Sequence, residues 1–256
     1  MEFPLAHAIA SHLQVVARTG STNADLRAQA ESAEDRPHLS TLITRDQTAG
    51  RGRLDRTWVA PSGTALAVSV LLRTIPVDPA ARGWIPLAAG LAMSEAVAAQ
   101  LPGRDVAVKW PNDVLVEGRK ICGILAEATG DAVVVGAGVN TTMTVEQLPV
   151  PTATSFAALG VDVDEDRLLA SYLETLDDRL SALIAAGDAV SSGLHAAVTA
   201  RCTTLGRPVR VSMPAGRILE GVATAIDAEG RLLVESDGVE HAISAGDVVH
   251  VRAAGS

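Results

Sequence analysis

The chain has 256 residues, enough to bury one substantial core with a small second domain beside it. Hydrophobic residues make up 48% of it but aromatics only 2%, so the core has to be built from Ala, Val and Leu rather than from large rings. A formal net charge of -9 excludes a nucleic-acid-binding coat; the cations gather instead at positions 45–56 and 104–120, which marks a site.

Cys122 and Cys202 are too few and too far apart for a disulfide framework or a zinc knuckle, and they read as two reduced, buried thiols. Residues 1–16 lack the basic and apolar segments of a secretory signal, and no apolar run approaches the ~20 residues of a membrane span. The expectation is a soluble, cytoplasmic protein with neither nucleic-acid nor membrane partner.

In chain order, residues 4–17 predict a short amphipathic helix ended by Gly20. The run Ser21-Thr22-Asn23 offers capping oxygens to a second helix ahead of Ala24. Residues 39–44 read as a strand, and residues 65–72, apolar at nearly every position, as a strand covered on both faces. Residues 86–101 are dense in Ala and Leu with Glu95 the one charge, which fits a helix packed deep against the sheet. Residues 106–110 and 113–117 each alternate in polarity about Pro111, giving a strand, a kink and a second strand. Gly118 then turns the chain into a returning strand over 119–125. Residues 133–139 form one more buried strand, closed by Gly136 and Gly138.

Leu169, Tyr172, Leu173, Leu176, Leu180, Leu183 and Ile184 recur at helical spacing, with Asp164, Glu165 and Asp166 where the helix dipole favours carboxylates. This helix reads as structural. Beyond about residue 203 the texture changes to short β-runs over 208–212, 219–226, 231–235, 240–244 and 248–252, the pattern of a small SH3-type barrel. The fold class expected is α+β: a mixed β-sheet flanked by helices over residues 1–203, followed by a C-terminal SH3-like β-barrel domain over 204–256.

Several of these elements carry chemistry. Lys109-Trp110-Pro111-Asn112-Asp113 places a cation, a rigid turn, an amide and a carboxylate between two strands, and the hairpin brings Lys120 up from the partner strand. Two lysines beside one carboxylate point to an anionic ligand. Gln47-Thr48-Ala49-Gly50-Arg51-Gly52-Arg53 alternates Gly with Arg, so backbone N–H groups and guanidiniums can approach the same anion. On its own such a string reads equally as a basic surface loop. Gly136-Ala137-Gly138-Val139-Asn140 is a weaker signal that a plain turn would also satisfy.

Taken together, Gly20-Ser21-Thr22-Asn23, Gln47 through Arg53 with Trp58, Lys109 through Asp113, Gly118-Arg119-Lys120 with Gly123, and Gly138-Val139-Asn140 resemble the biotin protein ligase family. The resemblance runs through most of residues 13–252. It looks like the group lacking the N-terminal winged-helix DNA-binding domain, since only about twenty residues precede the Ser-Thr-Asn element. Two positions depart from the family pattern. Asp55 stands where a glycine is usual and would stiffen the loop or pair with Arg53 or Arg56; Cys122 replaces a small alanine at little cost in volume.

The resemblance implies a class II synthetase-like biotin/lipoate ligase fold. It implies an enzyme that uses ATP and Mg2+ to convert biotin into biotinyl-5'-AMP, then biotinylates one lysine of the biotin carboxyl carrier domain of an acyl-CoA carboxylase. The chain would be a monomer or weak homodimer, with no protein-held metal site. Lys120, Arg53 and Asp113 would be the catalytic residues. Lys120 would meet the biotin carboxylate and Arg51 and Arg53 the adenylate phosphate. Lys109 would serve the ATP phosphates, with Asn112, Asp113 and Asn140 left for nucleotide, magnesium or the incoming amine. Ser21, Thr22 and Gln47 have the polarity that the ureido ring needs; Asn23, Gly50, Gly52 and Gly123 complete the biotin set. Two rival readings are a lipoate or octanoate protein ligase and a non-catalytic biotin-binding sensor.

Overall fold

The computed structural model describes residues 2–30, 36–54, 56–213, 217–244 and 246–250. Asp55 and the end of the strand expected over 248–252 lie outside the described residues. The larger sheet contains β1 (His12–Val15), β2 (Ser40–Thr44), β5 (Ala65–Leu72), β6 (Val106–Lys109), β7 (Asp113–Val116), β8 (Arg119–Thr129) and β9 (Ala132–Asn140). Their order is β1-β2-β5-β9-β8-β7-β6. Only β1 and β2 run parallel; every other neighbour pair is antiparallel, so the sheet is mixed as expected.

The helix expected over residues 4–17 is not formed. A short helix, α1 (Pro4–Ile9), ends at Ala10, and the chain then becomes β1, whose His12 to Val15 register with Ser40 to Ile43. Leu13 and Val15 alternate with His12 and Gln14, a period-two signal four residues long, and pairing to β2 wins over the helical reading. Gly20 terminates no helix; its carbonyl accepts the Ala49 N–H at 2.7 Å.

Helix α2 (Thr22–Gln29) begins where a cap was expected, with the Ser21 hydroxyl accepting the Ala24 N–H. It seals one end of one sheet face through Leu26 and Ala30, packed with Leu42, Leu71 and Val134. The opposite face is covered by α3 (Trp84–Gln100) and α4 (Glu165–Ala186). Ala88, Ala89, Ala92 and Ala96 on α3 let it approach the sheet closely, so nearly the whole helix is buried. Asp164 caps α4 by accepting the Arg167 N–H at 3.0 Å, and its Leu and Tyr stripe is buried as the period predicts.

Helix α5 (Leu194–Arg201) leads into the second sheet: β10 (Pro208–Ser212), β11 (Ile218–Ile226), β12 (Leu232–Ser236), β13 (Val239–Ile243) and β14 (Asp247–His250). These strands are antiparallel in the order β13-β12-β11-β10-β14, so the last strand returns to the first as in an SH3-like barrel. Its β11–β12 turn is built on Asp227, whose Oδ1 accepts the N–H groups of Glu229 and Arg231. Two indoles of the larger unit are bonded to that turn: Trp84 Nε1 donates to the Ala228 carbonyl at 2.8 Å and Trp110 Nε1 to the Gly230 carbonyl at 3.0 Å. Both rings are buried, and each buried N–H is thereby satisfied. Among the described residues, no helix is long and apolar enough to cross a membrane.

Candidate active site

The site is assembled on the sheet face that α2 leaves open, and a β-bulge decides which side chains reach it. In the β7–β8 pair Asp113 opposes Gly123 and Val114 opposes Cys122, but Leu115 opposes Lys120. Ile121 is the extra residue. In a regular strand Lys120 and Gly123, three apart, would point to opposite faces; the bulge at Ile121 puts both on the face of Asp113. Lys120 Nζ accordingly lies 2.5 Å from Asp113 Oδ1, while Lys109 Nζ, across the β6–β7 register, is 4.0 Å from Asp113 Oδ2. Cys122 is turned into the core, where burial pushes its thiol up to about 12 and leaves it un-ionised.

The floor is made of small residues on three adjacent strands. Ala67 opposes Gly138, Ser69 opposes Gly136, and Gly138 opposes Gly123, all on the site face. Gly136 and Gly138 therefore sit inside β9 and do not close it, correcting the expectation that they end the strand. Large side chains from above take the space that their missing Cβ atoms leave: a Cβ at Gly138 would stand 2.7 Å from the Trp58 ring, and one at Gly136 would collide with the Asn23 carboxamide.

The Gly-Arg segment folds over this floor as a tight hairpin, β3 (Gly50–Arg51) with β4 (Thr57–Trp58). Its root is stapled down, since Gln47 Oε1 accepts the Thr22 N–H at 2.8 Å and the Thr22 hydroxyl at 3.0 Å. The Ser69 hydroxyl in turn donates towards Thr22 Oγ1 and Asn23 Oδ1. Further along, Arg53 Nη1 donates to Asn112 Oδ1 at 3.2 Å, and Asn112 Nδ2 donates to the Ile124 carbonyl at 2.7 Å. Asn112 thus couples the basic hairpin to β8.

Ser21, Thr22, Asn23, Gln47, Arg51, Gly52, Arg53, Asn112, Asp113, Lys120 and Gly123 line one cavity of about 910 Å³, including its part open to solvent. Among the described residues the lining holds Arg51, Arg53, Arg56 and Lys120 against the one carboxylate of Asp113, which makes this set electropositive and suited to an anion. Three expected residues stand outside the lining. Gly50 lies beneath Gln47 and Trp58. Lys109 reaches only the rim through Asp113. Asn140 is buried and donates to the Thr154 carbonyl at 2.9 Å, while Lys120 exchanges backbone bonds with Thr152 and Thr154, so residues 152–154 are laid beside β8.

Two polar residues escaped the sequence reading. Ser69 is the one hydroxyl in the otherwise apolar β5, and a fully buried hydroxyl demands partners. Glu127 is the lone charge on β8 beyond Lys120, facing Asn23 and Arg51. Either could have been found by asking what a polar side chain does in a strand of that kind. Among the described residues, no group of three or more His, Cys, Asp or Glu is arranged to hold a metal.

At the rim, His250 of β14 bonds Thr204 Oγ1 at 3.2 Å, and Thr204 Oγ1 also accepts the Trp110 N–H at 3.0 Å. Burial first, then the nearby charges of Lys109 and Arg207, lower the His250 pKa to about 4 and keep the imidazole neutral.

Known proteins match this architecture. The biotin/lipoate A/B protein ligase family matches residues 15–140 and the biotin protein ligase C-terminal domain matches residues 204–251. A Mycobacterium tuberculosis protein named biotin--[acetyl-CoA-carboxylase] ligase is 43% identical over 94% of this chain and 89% of its own. The Aquifex aeolicus biotin protein ligase in complex with biotin and ATP superposes with a TM-score of 0.78 at 23% identity, covering 95% of this chain and 100% of that one. The Leishmania major biotin protein ligase in complex with biotinyl-5-AMP gives 0.61 at 26% identity, over 92% and 99%. The fold is that of a ligase with a mixed-sheet catalytic unit and a C-terminal antiparallel domain. The chain belongs to the biotin protein ligase family.

Proposed function

We propose that this chain joins biotin to AMP with ATP and passes the biotinyl group to a lysine of a biotin carboxyl carrier domain; its Mycobacterium tuberculosis relative is named biotin--[acetyl-CoA-carboxylase] ligase. The observation that carries the reading is the bulge that sets Lys120 and Asp113 together over a glycine floor beneath a hairpin of arginines. We place the boundary between the catalytic unit and the C-terminal domain at 203/204, supported by the change of sheet beyond α5.

In the first step a biotin carboxylate oxygen bonds to the α-phosphorus of ATP and the bond to pyrophosphate breaks. Two anions must meet, and like unit charges ~4 Å apart repel by ~4 kcal/mol at an effective dielectric of 20. Lys120 offsets this at the carboxylate, and Arg51 and Arg53 at the phosphate. No general base is required, because the carboxylate is already ionised at neutral pH. Catalysis rests on positioning and on charge stabilisation.

The ureido ring brings two N–H donors and one carbonyl, and each left unpaired on burial costs about 1–3 kcal/mol. Ser21, Thr22 and Gln47, held together by the bonds to Gln47 Oε1, are the polar groups available to it. Glycines at 123, 136 and 138 let Lys120, Asn23 and Trp58 lie close against the floor, and those side chains frame the space assigned to the bicyclic rings. Lys109 and Asn140, at the margins of the cavity, are assigned to the nucleotide. Magnesium fits as an ion carried by the triphosphate: among the described residues the lining has one carboxylate, Asp113, already paired with Lys120, and magnesium usually takes one or two carboxylates plus phosphate oxygens.

In the second step the acceptor amine bonds to the acyl carbon, the bond to AMP breaks, and the nitrogen loses a proton. Asp113 is placed to orient or deprotonate that amine. Biotin-dependent exchange between ATP and pyrophosphate tests the first half-reaction and separates a ligase from a biotin-binding sensor that exchanges nothing. A mass shift on a carrier domain offered biotin, lipoate or octanoate tests the second and separates a biotin ligase from a lipoate ligase.

A further inference from the structure

The pattern of bonds around Glu127 extends the adenylate-forming reading, on which the inference rests. Glu127 lies on the site face of β8, two residues beyond Leu125, with its side chain only 18% exposed. Its carboxylate is shared by donors from two separate elements. Oε1 accepts Arg27 Nη1 at 3.0 Å, and Oε2 accepts Asn23 Nδ2 at 2.8 Å and Arg51 Nη2 at 3.3 Å. Through Asn23 the same network continues to Ser69, Thr22 and Gln47, the root of the basic hairpin. One acid therefore links a hairpin arginine to the polar floor from which the hairpin springs.

We propose that Glu127 is a positioning residue that holds the Arg51 guanidinium at the edge of the cavity before ligand arrives. A guanidinium has five N–H donors in a rigid fork; Nη2 is spent on Glu127, and the remaining donors are left to face an anion. Without Glu127 the long side chain has to be ordered by the ligand itself, which weakens retention of the bound intermediate. The Arg51 side chain is 44% exposed, so the effect is modest, about two- to fivefold. Arg27 shares the carboxylate from the far side, on α2, and lies outside the cavity lining, so it makes an internal control.

The test is the rate at which preformed biotinyl-adenylate escapes from the parent, E127Q, R51Q, the E127Q/R51Q double variant and R27Q, alongside their melting temperatures. E127Q is expected to release the adenylate about two- to fivefold faster and to raise KM for biotin, with the single-turnover rate of transfer to the acceptor unchanged. R27Q is expected to lower the melting temperature without changing escape. In the R51Q background the E127Q substitution is expected to add nothing. Escape from E127Q at the parent's rate overturns the proposal, as does an equal effect of R27Q or an undiminished effect in the double variant. A parent that forms no adenylate overturns the functional reading and this proposal with it. If E127Q does not fold, R51K gives the reading, because it keeps the charge but loses the fork; adenylate held as long as in the parent then overturns the proposal.

Discussion

Lys120 Nζ sits 2.5 Å from Asp113 Oδ1, so the cation assigned to the biotin carboxylate and the carboxylate assigned to the acceptor amine are paired with each other. On the proposed reading, a substrate carboxylate would compete with Asp113 for Lys120 and leave Asp113 to the amine. The order of the two half-reactions is consistent with this exchange of partners.

Asp113→Asn keeps the shape of the pair and removes its charge. Transfer from preformed adenylate is expected to fall by ~100-fold, the scale of a lost general base, with adenylate formation reduced less than about tenfold. Pyrophosphate exchange and single-turnover transfer measured on the same preparation separate the two. Equal losses in both would move Asp113 to the nucleotide.

Arg53→Gly removes the bond to Asn112, one of the ties between the hairpin and β8. The adenylate is expected to escape about tenfold faster, in line with the loss of one charge-assisted hydrogen bond, and to label lysines on bystander proteins. Streptavidin blotting of a mixture of non-acceptor proteins reads this out directly, and labelling no higher than the parent's would count against it.

Gly138→Ala sets a methyl group 2.7 Å from the Trp58 ring, a rigid neighbour that has to move. Overpacking of this kind costs about 1–3 kcal/mol. KM for biotin is expected to rise about tenfold, since the displaced indole and the new methyl both take space from the bicyclic rings. Thermal melting and biotin titration check the two halves of the expectation, and a parent-like KM would show that ligand does not lie over Gly138.

His250 is half-buried and neutral, with its pKa lowered from 6.5 to about 4. Between those values the unfolded chain binds a proton that the native chain does not, so this contribution to stability is complete above pH 6.5 and is lost as pH falls towards 4. His250→Gln is therefore expected to flatten the fall in melting temperature across that window. Parallel curves for variant and parent would remove His250 from the acid response.

The elements most legible in the sequence were those with an unambiguous period. Residues 65–72 are apolar on both faces because the strand lies inside the sheet, and the Leu and Tyr stripe of α4 has one apolar face because one side of that helix meets the core. Residues 12–15 were misread because four residues of alternation are too short to outweigh a neighbouring helical pattern. The site was legible as a set of residue types; its geometry was not. Nothing in the order Lys120-Ile121-Cys122-Gly123 announces the bulge that puts the first and last of them on one face. Nor does a glycine in β9 reveal whether it ends the strand or makes room above it; that depends on Trp58 and Asn23, which arrive from elsewhere in the chain.

The chain has three tryptophans, and their placement makes its own fluorescence a two-channel reporter. Trp58 lies in the cavity lining against Gly138, whereas Trp84 and Trp110 are sealed beneath the β11–β12 turn by bonds to Ala228 and Gly230. Filling the cavity is expected to change chiefly the emission of the first; loosening the C-terminal sheet from the catalytic unit is expected to wet the other two and shift them to the red. A single Trp58→Phe substitution would split the signals, so ligand capture and the seating of the two sheets can be followed separately in one cuvette, without a label.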